Sequence, residues 1–198
     1  MTACQRAVSE ANRATGGRSV YAPALSGGPQ QLARQLHVAC EEGVQVILTC
    51  PLLMGLPTFF ELVRDGAGCA VIAHPALGGA ARISPPLLFG KLFRLLGADA
   101  TVFPNYGGRF GYSRATCLAL AEAARAPWGG LRACAPVAAG GMSVARVREL
   151  LDVYGRDVVL LIGGALLMAG RELEARSRDF VDSVRQAGRL QGQGTPAS

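Results

Sequence analysis

Lys91 is the only lysine in this 198-residue chain, in which every other member of the 20 Lys and Arg residues is an arginine. A lysine ammonium is a compact charge that can approach a single oxygen atom, whereas the guanidinium of arginine is a broad planar fork. A sequence that uses arginine everywhere else suggests that this position needs something arginine cannot provide. A lysine on a solvated helix face fits the residue alone equally well, so its place in the fold must decide.

A histidine and two glycine pairs end apolar runs elsewhere in the chain. His74 closes "CAVIAHP", Gly140 and Gly141 follow "ACAPVAA", and Gly163 and Gly164 follow "DVVLLI". Glycine lets backbone N–H groups approach a phosphate closely, but it also eases tight turns. A lone histidine after an apolar strand is more often structural than catalytic. The residues alone leave both interpretations open for each position.

Six short apolar runs alternate with segments of helical period, which indicates repeated β/α units. Within the helical segments apolar residues recur at spacings of three and four, and several of these segments end at glycine. Runs without alternation are typical of parallel strands that are buried on both faces. We expect a leading helix followed by six strands, which start near residues Ser19, Val44, Cys69, Ala100, Ala133 and Asp157.

Two α/β architectures accommodate six β/α units: a doubly wound open sheet, or part of an eight-stranded barrel. In barrels a phosphate often lies on the loops that follow the last two strands. Here both of these loops carry a glycine pair, and no GxGxxG motif follows the first strand. The pattern therefore favours the partial barrel.

Composition narrows the classes of partner and compartment. The formal net charge is +6, but the arginines are scattered, so we expect a small phosphorylated ligand and no nucleic acid. The uncharged segment at residues 44–60 is too short and too broken by proline for a membrane span, and no membrane contact is expected. Unpaired cysteines in apolar runs favour a reduced cytoplasm and no metal site. Residues 1–188 are predicted to form one domain and residues 189–198 a disordered tail.

Four segments together resemble the C-terminal barrel of the ribulose bisphosphate carboxylase (RuBisCO) large-chain family. They are "HPALGGA", "SPPLLFGKLFRLLGADATVFPNYGG", "PVAAGGMS" and "LLIGGAL", in the family's order and spacing. The resemblance implies a partial (β/α)8 TIM barrel, with six units that correspond to strands 3 to 8. It also implies that Lys91 is the lysine of the mobile loop over the substrate and that His74 is a proton carrier at the end of the fifth strand. The glycine pairs would bind phosphate, and Ser84 and Asn105 are further candidate binding residues.

Three departures from the family's carboxylases alter the expected activity. Pro75 stands where these enzymes have a phosphate-binding arginine, Ser84 replaces an active-site histidine, and Ala139 replaces a substrate-binding serine. These changes remove ligands for a second phosphate. The chain is therefore identified as a RuBisCO-like protein, which would enolise, isomerise or decarboxylate a phosphorylated sugar or sugar acid. The alternatives are a genuine carboxylase fragment, a non-catalytic remnant or assembly partner, and a phosphate-binding open-sheet protein.

The resemblance also predicts that parts of the family's enzyme lie outside this sequence. By this resemblance the chain would begin in the helix after the second barrel strand, and in the family that strand carries the Mg²⁺ ligands. We therefore expect an incomplete domain that lacks the N-terminal domain and two strands. Mg²⁺ is implied by the family although its ligands are missing from this chain, and the family implies a homodimer.

Overall fold

A computed structural model describes residues 1–65, 68–109 and 111–192 of the chain. Six strands form one sheet in which every neighbouring pair is parallel. The strands are β1 (Ala24–Leu25), β2 (Val46–Thr49), β3 (Ala70–Ala73), β4 (Ala100–Pro104), β5 (Ala135–Ala139) and β6 (Val159–Leu161). Their spatial order is their sequence order, β1 to β6. A doubly wound sheet reverses its order at a switch point, so this order has the topology of a barrel arc.

Helices connect successive strands, as the alternating pattern predicts. The α-helices are α1 (Thr2–Thr15), α2 (Pro29–Glu41), α3 (Pro51–Met54), α4 (Leu56–Asp65), α5 (Phe93–Leu95), α6 (Arg114–Arg125), α7 (Val147–Tyr154), α8 (Gly164–Leu167) and α9 (Leu173–Gly192). Short 3₁₀ turns lie at Gly78–Ala80, Val144–Arg146 and Gly170–Glu172, and a π-helical segment at Pro86–Leu92 leads into α5. Local chemistry sets several starts: proline is the first residue of α2 and α3, and the Ser113 hydroxyl accepts from the Thr116 N–H to cap α6.

The core lies between the sheet and its helices, and the strands alternate accordingly. On β2, Ile47 and Thr49 are buried while Val46 and Leu48 are half-buried. An aromatic cluster fills the layer between sheet and helices: the Phe89 and Phe93 rings meet edge to face at 5.6 Å. The opposite face of the sheet corresponds to the inside of a barrel. At β6 that face is open, since Val159 is 47% exposed and Leu161 is 38% exposed.

Arg94 braces the amino edge of the sheet from within the core. Its guanidinium is 3% exposed and donates to the backbone carbonyls of Ala126, Leu131 and Arg132 at 2.7–2.8 Å. These carbonyls belong to the connection from the end of α6 to β5. A cation at a helix C-terminus also opposes the negative end of the helix dipole. Arg94 thereby ties α5 to the connection that leads into β5.

Several details differ from the sequence-based expectations. The first strand is only two residues long, since it starts at Ala24 rather than near Ser19, and Gly27 turns the chain with φ of 130° two residues after it ends. α9 runs to Gly192, into the segment expected as a tail, while residues 193–198 lie outside the described residues. Cys4 and Cys40 are exposed although cysteines in apolar runs are usually buried, whereas Cys117 and Cys134 are buried. None of the described helices is long and apolar enough to cross a membrane.

Candidate active site

A cavity of about 560 Å³ opens at the carboxyl edge of the sheet, beyond β3, β4 and β5. Its wall is mostly apolar, and His74, Arg109 and Tyr112 are its titratable members among the described residues. The remaining lining residues are Pro75, Ala76, Leu77, Gly79, Phe89, Val102, Pro104, Gly111, Ala139, Gly140 and Gly141. Ligand sites of parallel α/β folds lie at this edge, because the strand-to-helix loops meet there. We therefore take this cavity as the candidate active site.

His74 follows β3 directly and is held by two backbone groups. Its own N–H donates to the Thr49 carbonyl at 2.8 Å, and its Nδ1 accepts from the Ala76 N–H at 3.2 Å. Burial lowers the pKa of the His74 imidazole below its ordinary 6.5. The ring is therefore neutral at pH 7. In a neutral imidazole one nitrogen accepts and the other carries the proton, so Nδ1 acceptance places the proton on Nε2.

The residues after His74 form a tight turn with an unusual occupant. The Gly78 N–H donates to the Pro75 carbonyl at 2.9 Å, which makes Leu77 the third residue of the turn. Leu77 has φ of 64° and is the one residue other than glycine with a left-handed φ in the described part of the chain. That conformation costs a residue with a Cβ atom about 1–2 kcal/mol. The Leu77 side chain nevertheless lines the cavity and is 56% exposed.

The glycine pair after β5 packs directly against the loop after β4. A Cβ atom on Gly141 would lie 2.7 Å from the Gly107 carbonyl oxygen and 2.8 Å from the Gly108 Cα. Gly140 and Gly141 also have left-handed φ angles of 94° and 63°. Only glycine satisfies both conditions at position 141 without strain. Both glycines are exposed at the cavity, so their backbone is accessible to a ligand.

The second glycine pair lies at the same edge without any such packing requirement. Ala139 pairs with Leu161, so the turns after β5 and β6 start side by side. Gly163 and Gly164 have no left-handed φ, and a Cβ atom on either would meet nothing within 4 Å among the described residues. Neither a left-handed φ nor a close contact in the described fold therefore requires glycine at these two positions. Neither glycine is among the described residues that line the cavity.

Arg146 ties the β4 loop to the first glycine corner. Its Nη1 donates to the Tyr106 carbonyl at 3.2 Å and to the Gly141 carbonyl at 3.0 Å. Its Nε lies 3.0 Å from Glu149, whose carboxylate also accepts from the Tyr106 hydroxyl at 2.7 Å. The Arg146 and Tyr106 hydrogen bonds lower the pKa of Glu149 to about 2. The charged network holds both loops in one arrangement.

Asn105 and Ser84 are not among the described residues that line the cavity. Asn105 is 1% exposed, and its Oδ1 accepts from the Tyr154 hydroxyl at 2.6 Å on the helix side of the sheet. Its Nδ2 has no hydrogen-bond partner among the described residues. Ser84 is exposed just before the π-helical segment. Asn105 has turned inward because successive strand residues face opposite sides and Pro104 takes the cavity side.

Lys91 lies on a helix, and its expected position in a mobile loop is wrong. It belongs to the π-helical segment Pro86–Leu92, and its Nζ is 5.8 Å from the centre of the Trp128 ring. Trp128 lies in the connection that leads to the amino end of β5. The segment follows the loop at the carboxyl edge and runs back along the sheet, so the contact with Trp128 places Lys91 towards the amino edge. Lys91 and the glycine corners are therefore at different edges of the sheet.

Arg109 is the cation that the structure does place at the cavity. It lies in the loop after β4, is exposed, and lines the cavity with His74 and Gly140. The sequence "FPNYGGRFGYS" predicts a loop at the end of the β4 run. In such a loop, Arg109 and Tyr106 fit ordinary loop residues and ligand contacts equally well. What the sequence does not show is that the packing of Gly108 on Gly141 brings this loop over the cavity.

The donor set of the described residues does not fit a divalent cation. No group of three or more His, Cys, Asp or Glu side chains converges in residues 1–65, 68–109 and 111–192. Mg²⁺ requires hard oxygen ligands in near-octahedral geometry. The cavity wall offers one imidazole and no carboxylate within its described part.

Comparison with known proteins identifies relatives that share most of this chain. It is 55% identical over 178 residues to 5-methylthioribulose-1-phosphate isomerase from Rhodospirillum rubrum, a match that covers 90% of this chain and 48% of the relative. It is 49% identical over 186 residues to ribulose bisphosphate carboxylase-like protein 1 from Rhodopseudomonas palustris, covering 94% of this chain and 50% of the relative. No family model matches the chain.

A solved structure confirms the fold. A crystal structure of a RuBisCO-like protein from Rhodopseudomonas palustris is 51% identical and superposes with a TM-score of 0.87 over 94% of this chain and 51% of that one. The chain thus spans about half the length of the relatives it matches. With these identities, and with a six-stranded parallel arc of barrel topology, the chain belongs to the RuBisCO-like branch of the ribulose bisphosphate carboxylase large-chain family.

Proposed function

We propose that this chain supplies the phosphate-binding and carbonyl-polarising part of an enzyme that enolises or isomerises a phosphorylated sugar or sugar acid. One observation carries the proposal. A neutral histidine, an arginine and a glycine corner line a single cavity at the carboxyl edge of the sheet. Proton transfer next to a carbonyl needs a group that stabilises the developing oxyanion and a clamp that orients the substrate, and these residues provide both functions.

His74 is assigned the role of hydrogen-bond donor to the substrate carbonyl. Its Nδ1 is occupied by the Ala76 N–H, so Nε2–H is the group that can face a ligand. A neutral imidazole that donates to a carbonyl oxygen makes the neighbouring C–H more acidic and stabilises the enediolate that forms. This assignment refines the expectation of a proton carrier, because the nitrogen that would accept a proton is already engaged.

The phosphate is assigned to the first glycine corner, with Arg109 above it and the second glycine pair beside it. Backbone N–H groups at exposed glycines can reach phosphate oxygens that a side chain would block. Arg109 adds a permanent charge with several donors. Gly163 and Gly164 fit the same role, since no packing contact in the described fold requires glycine there.

The group that removes the proton must come from outside the described cavity wall. That described wall contains no carboxylate, lysine or cysteine, and the Nδ1 of His74 is occupied by the Ala76 N–H. Burial raises the pKa of the Tyr112 hydroxyl, so it stays protonated at neutral pH. The ligands of any divalent cation that the whole enzyme uses must likewise come from outside this wall. No step of the chemistry assigned to this chain depends on a metal.

The substrate proposed is a sugar phosphate with one phosphate and an apolar group at its other end. Pro75 next to His74 offers no cation for a second phosphate, and the cavity wall includes Phe89 and Tyr112. The relative from Rhodospirillum rubrum is a 5-methylthioribulose-1-phosphate isomerase, and that compound has this composition. We extend the same substrate class to this chain.

Deuterium exchange tests the proposal. The chain is combined with the part of the Rhodospirillum rubrum relative that it does not span, and 5-methylthioribulose 1-phosphate is followed by ¹H NMR in D₂O. We expect loss of the proton next to the carbonyl, at a rate about 10²-fold lower for the His74→Asn variant, since one oxyanion donor contributes that much. Equal rates for both proteins, with the complex shown to form, would contradict the role assigned to His74.

A second role, assembly with another polypeptide through the open edge of the sheet, is favoured by β6. Its residues Val159 and Leu161 leave apolar surface exposed on the barrel side, and an unpaired edge strand is a template for pairing. A homodimer of the completed enzyme would be built on the same unit. Size-exclusion chromatography of the chain with and without the complementary part of the relative distinguishes a stable pair from two separate chains.

A further inference from the structure

Leu77 occupies a turn position that normally belongs to glycine. In a type II turn the third residue has φ near +80° and ψ near 0°, and it is usually Gly or Asn. Leu77 has φ of 64° and ψ of 0°. This backbone conformation is unfavourable for a branched apolar side chain, so the stability of the turn does not explain why leucine occupies position 77.

The neighbouring glycines show that the chain tolerates glycine in this loop. Gly78 is required, because a Cβ atom there would overlap the Phe89 ring. Gly79 is not required in this way, since a Cβ atom on it would meet nothing within 4 Å in the described part of the chain. Two glycines thus follow directly, yet the strained position carries leucine. Residues held in such conformations tend to cluster at ligand sites.

The Leu77 side chain stands at the mouth of the cavity. It is 56% exposed, and it lines the same wall as Phe89 and Tyr112, only three residues from His74. An exposed leucine at a cavity mouth loses water contact when an apolar group of a ligand enters, which is favourable. A hydroxyl or a second phosphate in the same place would lose its own water without gaining a hydrogen bond from leucine.

We propose that Leu77 is a specificity-determining residue that covers the end of the sugar remote from its phosphate and selects a thioether or alkyl group there. The proposal rests on the function proposed above and adds the residue that makes the choice. The left-handed turn directs this side chain over the cavity. A glycine at position 77 would relax the turn and leave the ligand's apolar end uncovered.

The test compares two ligands that differ only at that end, 5-methylthioribulose 1-phosphate and ribulose 1-phosphate. Their affinities for the 198-residue chain are measured by isothermal titration calorimetry, with the unsubstituted protein, Leu77→Gly, Leu77→Asn and Leu77→Met. Gly and Asn both suit the turn, and Asn keeps a side chain of similar size but polar. Met keeps the apolar body and is the matched control. Thermal unfolding of each variant is recorded in parallel.

We expect the unsubstituted chain to prefer the methylthio ligand by about tenfold, a ratio within the range for small apolar groups in a pocket. Leu77→Gly and Leu77→Asn should abolish the preference by weakening the methylthio ligand alone, with an unchanged or higher melting temperature, while Leu77→Met keeps it. An equal loss for both ligands, or no initial preference, would overturn the inference and leave the proposed function intact. Failure to bind either ligand would instead contradict the proposed function, and this inference with it.

Discussion

The backbones of Gly108 and Gly141 touch, and this contact builds the candidate active site. A Cβ atom on Gly141 would lie 2.8 Å from the Gly108 Cα, and one on Gly108 would lie 2.9 Å from the Gly140 carbonyl carbon. The contact joins the loop after β4 to the turn after β5. Arg109 and the exposed corner of Gly140 thereby line one cavity with His74.

Alanine at either contact position should destabilise the protein. Gly141→Ala adds a clash with backbone atoms to an unfavourable left-handed φ, and overpacking of this kind costs about 1–3 kcal/mol. Urea unfolding of Gly108→Ala and Gly141→Ala measures the loss. Gly163→Ala is the matched control, because its added methyl group meets no described atom. If Gly141→Ala were as stable as Gly163→Ala, the packing role assigned to the corner would be wrong.

The same control variant has a second expected effect, on phosphate. Gly163→Ala and Gly164→Ala should fold normally but bind inorganic phosphate or a sugar phosphate several-fold more weakly, because the methyl group obstructs the approach of the anion to the backbone. Affinity is measured by calorimetry alongside the unfolding curves. Unchanged affinity in both variants would remove the second glycine pair from the proposed phosphate site.

Replacing Arg94 by alanine should destabilise the protein far more than replacing Lys91 by alanine. The Lys91 ammonium is exposed above the Trp128 ring, and such a contact is worth about 0.5–1 kcal/mol at most. Arg94→Ala leaves three carbonyls without their charged donor in the core, and hydrogen bonds to charged groups contribute about 1.5–3 kcal/mol each to net stability. We expect Arg94→Ala to lower the free energy of unfolding by several kcal/mol. Lys91→Ala should change neither the free energy of unfolding nor the phosphate affinity appreciably. A large loss of affinity in Lys91→Ala would contradict its placement away from the site.

The Glu149 carboxylate should make stability depend on acid pH. Its pKa is held at about 2 by hydrogen bonds from Arg146 and Tyr106, below its ordinary 4.5. The network therefore contributes fully above pH 4.5, and the contribution is lost as the pH falls towards 2. Melting temperatures between pH 2 and 6 should fall more steeply for the unsubstituted protein than for Glu149→Gln. Parallel curves would show that the network adds no stability, as exposed ion pairs often do not.

His74 should set the acid limb of activity. Burial lowers its pKa below 6.5, and only the neutral ring accepts from the Ala76 N–H while it donates from Nε2. Deuterium exchange by the completed enzyme should be constant above pH 6.5 and decline at lower pH. The folded state binds the proton less readily than the unfolded state, so stability should also decrease as the pH falls through this range. An acid limb retained at the same pH in His74→Asn would assign it to another group.

The sequence predicts the architecture well and the cavity less well. Continuous apolar runs such as "VQVILTC" and "ATVFP" identify parallel strands, and strand ends identify His74 and both glycine pairs as residues of the carboxyl edge. The edge at which Lys91 lies is not encoded locally, because its helix runs from one edge of the sheet to the other. The side of the sheet that Asn105 faces depends on the two-residue alternation of a strand, where a shift of one position moves a side chain from the cavity to the core.

Other features arise from contacts between segments distant in sequence, which no local pattern encodes. Arg146 and Gly141 are five residues apart, but the Tyr106 carbonyl that completes their arrangement is 40 residues from Arg146. The left-handed φ of Leu77 is also invisible in the sequence, since leucine is among the residues least expected there. These are the features on which the shape of the cavity depends.

Amide chemical shifts during a titration with 5-methylthioribulose 1-phosphate test the central claim, that an anion binds at the carboxyl edge among the glycine corners. The account predicts that the ¹⁵N–¹H signals of Gly140, Gly141, Gly163 and Gly164 shift together with that of Arg109, while those of Lys91 and Trp128 stay in place. Saturable shifts centred on Lys91 and Trp128, with the glycine signals unmoved, would contradict it.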